Sequence, residues 1–136
     1  MTLAQTEQTV AGYMILIGQR IAAAQALAIE GRADSVAESV SEIEELVLRA
    51  IEQNRDCLGL GMIDRAGIMS LVPPPSAQQP LAASEYLVDM ESAVLRYKAH
   101  RPGLRSSEAA PRVLSHLLEI LSAAAAWTGQ HGRDRK

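Results

Sequence analysis

The chain has 136 residues, of which 48% are hydrophobic and 21% charged, the composition of one globular domain able to bury a core without disulfides or metals. It has no Phe, one Trp and three Tyr, so the core has to be built from Leu, Ile, Val, Met and Ala, and the single cysteine, Cys57, excludes an intramolecular disulfide and points to a reducing cytoplasm. The formal charge of −3 argues against general affinity for phosphate backbones, Met1 to Gln5 lack a basic signal-like region, and no apolar stretch reaches about 18 uninterrupted residues, so neither nucleic-acid binding, secretion nor a membrane span is predicted.

The first helix is predicted from Leu3 to Ile29, with Gly31 as its stop because glycine takes the left-handed cap without cost. Val10, Tyr13, Ile17, Ile21, Ala24 and Ala28 recur at three- and four-residue spacing along one face. Between Tyr13 and Ile17 the apolar surface widens, which predicts a central helix with more than one neighbour. Ser35 and Glu38 have the spacing of a capping box and predict the start of the second helix. Its seam is Val36, Val40, Ile43, Val47 and Ala50, while Glu38, Glu42, Glu45, Arg49 and Glu52 lie opposite, with Glu45 and Arg49 spaced for an ion pair.

Residues 57–80 form a Gly- and Pro-rich connector. Within it Met62 to Met69 reads as a small hairpin turning at Asp64 to Gly67 or as a short helix laid across the others, with the hairpin preferred. Pro73, Pro74 and Pro75 predict a stiff extended segment. A third long helix is expected from Leu81 to His100, with Leu87, Met90, Val94 and Tyr97 inward, ended by Pro102 and Gly103. Pro111 is tolerable in the first turn of the fourth, whose seam is Val113, Leu117, Ile120, Ala124 and Trp127, reinforced by Leu114, Leu118 and Leu121. Gly129 is its expected stop, residues 130–136 a polar tail. The fold expected is all-α: a single-domain, antiparallel, up-and-down four-helix bundle with an irregular connector between helices two and three.

The sequence has no phosphate-binding GxxxxGK, no GxGxxG and no HExxH. His116 and Glu119 share a helix face, but di-iron bundles need Glu-x-x-His in that order and on two helices, so no metal site is expected. His116 reads as a boundary core histidine rather than a phosphotransfer residue. No cofactor and no catalytic residues are expected; the enzyme alternative would place acid–base chemistry at Asp64 or Glu52 beneath the connector. Residues 1–72 carry five basic and ten acidic side chains, net −5, and residues 73–136 carry eight and six, net +2. Arg96, Lys98, Arg101, Arg105 and Arg112 cluster around the turn between the last two helices, read as a solvated end, a complement to the acidic second helix or a contact for an acidic protein. Ala123 to Trp127 offers small side chains for close approach of another helix, hence a homo-oligomer or a subunit or regulator of a larger complex as an alternative function.

The run Tyr13-Met14-Ile15-Leu16-Ile17, then Ile21 to Ala26, Glu30-Gly31 and Val40 to Val47, resembles FliS-type flagellin export chaperones. Tyr86 to Met90 resembles their third helix and Val113 to Trp127 their Leu-rich, Trp-containing last one. The resemblance covers about four-fifths of the chain and rests on helix order and patterning. Two departures stand out: the polar arm before the first helix is short, and the connector from Cys57 to Pro80 is long. The resemblance implies a non-enzymatic cytoplasmic protein that clamps a helical segment of a secreted or flagellar partner before export, with Tyr13, Ile17, Met90 and Val94 as candidate contacts, each also placed for the core.

Overall fold

The computed structural model describes residues 3–55, 58–73, 83–100 and 109–131. Cys57, Pro74, Pro75, Pro80, Leu81, Arg101, Arg105, Glu108 and the residues after His131 lie outside them, and with them the extended proline segment and most of the polar tail. The chain is all-α: α1 (Leu3–Ile29), α2 (Ala33–Gln53), α3 (Arg65–Ser70), α4 (Ala83–His100) and α5 (Ala109–His131), with no strand among the described residues.

Helix α1 ends as the glycine predicts. Gly31 sits at φ 74, its amide donates to the Ala28 carbonyl at 3.1 Å and the Arg32 amide to the Leu27 carbonyl at 3.0 Å, the paired bonds of a Schellman cap. That cap also moves the next start. α2 begins at Ala33 behind Arg32, which makes no side-chain capping bond, so the capping box expected at Ser35 and Glu38 is not used and Ser35 already lies inside the helix. The tight turn leaves too few residues between the helices for a cap at Ser35.

The connector departs most from expectation. Residues 62–69 form no hairpin: α3 is a helix of 6 residues whose N-cap, Asp64, accepts a hydrogen bond from the Gly67 amide at 2.8 Å. An aspartate three residues before a glycine suits a helix cap as well as a turn, and the apolar Ile68 decides between them by burying itself completely. Leu58 is buried as well, so the connector contributes to the core. Asn54 and Arg55 hold its entry: buried Asn54 donates from Nδ2 to the Ala50 carbonyl at 2.7 Å, and Arg55 Nη1 to the Ile63 carbonyl at 2.9 Å. Further on, Ser122 of α5 donates its hydroxyl to the Pro73 carbonyl at 2.9 Å.

Helix α2 packs on α1, α5 and α3, and α4 packs on α1 and α5. The expected seams of α2, α4 and α5 are all buried: Val36, Val40, Ile43, Val47 and Ala50; Leu87, Met90, Val94 and Tyr97; Val113, Leu117, Ile120, Ala124 and Trp127. In α1 the buried line is Val10, Met14, Ile17, Ile21 and Ala24, with Tyr13 and Ala28 half-buried at its margin. α5 runs through Gly129 to His131, so that glycine is not its stop. The His131 ring lies 5.8 Å from Tyr86, edge-on, and 6.0 Å from Trp127, contacts that favour carrying the helix past the glycine.

Candidate functional site

The wide apolar surface at Tyr13 to Ile17 does have two helical neighbours, α2 and α4, but α1 is not enclosed by them. Ile15 is 55% exposed and Leu16 47%, and Gly12, Gln19, Ala22, Ala23, Ala26 and Ile29 lie on the same open side. The residues Gly12, Ile15, Gln19, Ala22, Ala26 and Ile29 step by three and four, so α1 carries a second seam facing outward. Opposite the buried line, this seam has no charged residue; Arg20 beside it turns aside to bond Glu42 of α2 at 3.0 Å.

By length and composition Thr9–Ile29 is apolar enough to cross a membrane, and 22% of that window is buried. Gln19, Arg20 and Gln25 hide this from a count of uninterrupted apolar residues. The burial of Val10, Met14, Ile17, Ile21 and Ala24 against neighbouring helices accounts for one side of this apolar character and leaves the other unexplained.

Beside the open seam, α4 exposes Val88 at 50% and Leu95 at 55%. Between the two helices lies a groove of about 340 Å³. Ile15, Gly18, Gln19, Ile21 and Ala22 line it from α1, and Glu91, Val94, Leu95 and Lys98 from α4. The absence of a side chain on Gly18 deepens it: a Cβ there would meet Val94 at 3.9 Å, an ordinary contact, so the helices approach closely without being jammed. Its character is an apolar floor with one carboxylate and one ammonium seven residues apart on the rim.

The four contact residues implied by resemblance fall differently. Ile17 and Met90 are completely buried and belong to the core, Tyr13 is half-buried, and Val94 alone lies at once in the core and in the groove. A buried seam and an exposed one have the same period, so residue spacing does not separate the second apolar series on α1 from the first. At the other proposed contact, Ala124, Ala126 and Trp127 are packed within the chain, leaving Ala123 and Ala125 part-exposed.

The basic cluster does not assemble as one surface. Arg96 is taken up by Glu119 of α5, Lys98 stands on the groove rim, and Arg112 is exposed near the start of α5; Arg101 and Arg105 lie outside the described residues. The acidic α2 is answered from its own half of the chain by Arg20, Arg49 and Arg65. Arg65, the first residue of α3, grips Glu45 with two nitrogens at 2.7 and 2.9 Å and Glu52 at 2.9 Å. Glu52 is thus an ion-pair partner and Asp64 a helix cap, and neither lines the groove.

The Arg65 hydrogen bonds, then Arg49, hold the Glu45 carboxyl down at about 2. A lowered folded-state value means that the fastening of α3 to α2 is present above the ordinary carboxylate range and is lost only as the pH falls through about 2. NMR titration is expected to find Glu45 ionised throughout the range where free glutamates protonate, with Arg65→Met returning it to that range. A wild-type midpoint near 4.5 would refute this. The groups are exposed, so the effect on global stability is small. Glu44, half-buried between α2 and α5, moves the other way: burial raises its carboxyl against the lowering by the Thr128 hydroxyl, which donates to it at 3.3 Å.

His116 is buried, with its ring edge-on to Tyr97 at 6.5 Å, and Glu119 pairs with Arg96. Among the described residues no three His, Cys, Asp or Glu side chains converge as metal ligands would. The polar groups facing the groove are Gln19, Glu91 and Lys98, a set suited to orienting a ligand rather than to a proton-transfer pair. Comparison of the chain with protein-family models, with curated proteins and with solved structures finds no match in any of the three.

Proposed function

We propose that the chain is a non-enzymatic, protein-binding four-helix bundle that shields an amphipathic helical segment of a partner. The observation that carries this reading is the uncovered apolar side of α1 and α4, where Ile15, Leu16, Val88 and Leu95 stand half-exposed around a groove floored by Val94. Large apolar side chains gathered on one side of a small protein mark an interaction site. A helix entering the groove would exchange solvent for contacts at i, i+3 or i+4 and i+7 along its own apolar face.

In this reading α1, α2, α5 and α4 surround one core in that order, following the pairs that pack. α2 and α4 then stand on opposite corners, and Leu58 and Ile68 from the described part of the connector are buried in the core. The resemblance to FliS-type chaperones supplies the partner class: a secreted or flagellar protein whose helical segment would self-associate if left bare, held in the cytoplasm until export.

The test is native purification of the tagged chain from its own host beside a Leu95→Glu variant. Leu95 is exposed, so the variant is expected to keep its helical circular dichroism while a co-eluting flagellin or other secreted helical protein is lost. Recovery of the wild-type chain without such a protein would overturn the proposal, as would unchanged recovery with the variant.

A further inference from the structure

We infer that the α1–α4 face is also the contact between two copies of this chain, packed antiparallel about a two-fold axis that runs across both helices at the level of Arg20 and Ile21 on α1 and of Val94 and Leu95 on α4. The inference needs no other protein. It rests on two patterns along this face that are each complementary to themselves when reversed.

The first pattern is charge on α4. Val88, Glu91, Leu95 and Lys98 are exposed and step by three, four and three, so they form one outward stripe. Glu91 and Lys98 stand symmetrically about a point between Val94 and Leu95. In a second, antiparallel copy of α4, Glu91 meets Lys98 of the other chain and Lys98 meets its Glu91, with the two Leu95 side chains between them. Parallel packing would set Glu91 against Glu91 and Lys98 against Lys98, which repel.

The second pattern is size on α1. In reversed pairing about the midpoint of Arg20 and Ile21, Gly12 falls opposite Ile29, Ile15 opposite Ala26, and Gln19 opposite Ala22. Each bulky side chain on the open seam faces a small one, the condition for knobs to find holes. Parallel pairing would set Ile15 against Ile15 and leave gaps between the alanines.

One axis serves both helices. A Cβ on Gly18 would stand 3.9 Å from Val94 across the groove, so the centre of the α1 pattern and that of the α4 pattern lie at heights that differ by no more than about one helical turn, ~5 Å. A two-fold axis lying in the interface at that height puts α1 on α1 and α4 on α4 in a closed, isologous contact. A bilayer would meet the same apolar side chains, but Glu91 on the stripe would then enter it uncompensated.

The test is sedimentation velocity and light scattering on the pure full-length chain over a range of concentrations, with Lys98→Glu and Glu91→Lys variants. The wild type is expected at twice the 14.6 kDa chain mass. Each single reversal replaces two attractions by two repulsions and is expected to raise the dimer dissociation constant on the order of 10-fold or more. An equimolar mixture of the two variants restores the dimer as a heterodimer, with circular dichroism unchanged in all. A wild type that stays at 14.6 kDa at every concentration overturns the inference, as does a dimer indifferent to both reversals or a mixture that fails to reassociate. Because no partner protein is present, failure here leaves the partner-binding proposal standing, and loss of the partner in the host leaves the dimer standing.

Discussion

Met90→Glu is expected to unfold the chain, or to lower its melting temperature by more than about 10 °C, rather than to release a bound partner. Met90 is completely buried, on a line with Leu87, Val94 and Tyr97 that faces the other helices. A carboxylate there has either to give up its hydration without a compensating charge or to take up a proton, and the introduced oxygens find no apolar-core group to bond. The cost exceeds about 4 kcal/mol, a large share of the roughly 5–15 kcal/mol by which domains are stable. Thermal denaturation followed by circular dichroism measures it. A Met90→Glu protein as stable as wild type would mean that α4 is not seated as described, while Met90→Leu, which keeps volume and polarity, is expected to change little.

The second large effect is at Trp127. The indole is buried, its ring lies beside His131, and its Nε1 has no hydrogen-bond acceptor among the described residues. Trp127→Ala removes the largest side chain of the α5 seam and leaves a cavity, at an expected cost of about 3–5 kcal/mol. Trp127→Phe loses less volume and also removes the orphaned donor, whose burial by itself costs about 1–3 kcal/mol, so the two effects offset and the change is expected within about 1 kcal/mol. Denaturant unfolding of the two variants separates packing from hydrogen bonding. If the phenylalanine variant were as damaged as the alanine one, the indole nitrogen would have a partner whose loss matters.

These core substitutions and the Leu95→Glu and charge-reversal variants fall on two different faces of α4. One face, with Met90 and Tyr97, controls whether the chain folds. The other, with Glu91, Leu95 and Lys98, is exposed and free to change without that penalty. Val94 belongs to both, 3% exposed and yet part of the groove floor, which makes it a poor choice for testing either role.

Helical periodicity is a local property, and it was enough to read the four long helices, the seams of α2, α4 and α5, the glycine cap at Gly31 and the Glu45–Arg49 pair directly from residue spacing. The start of α2 was missed because a cap is a competition between neighbouring turns, and the Schellman geometry at Gly31 left no room for Ser35 to act as one. Met62 to Met69 fits a hairpin or a short helix because an Asp-x-x-Gly segment suits both a turn and a helix cap; the burial of Ile68 against the core, a tertiary contact, decides for the helix. The candidate site was hidden for the same kind of reason. Two apolar seams on α1 have the same period and similar residues, and only the packing of α2 and α4 around one of them leaves the other bare. Spacing along the chain can say that a helix has an apolar face, but which face is covered depends on how many neighbours the whole molecule has to offer.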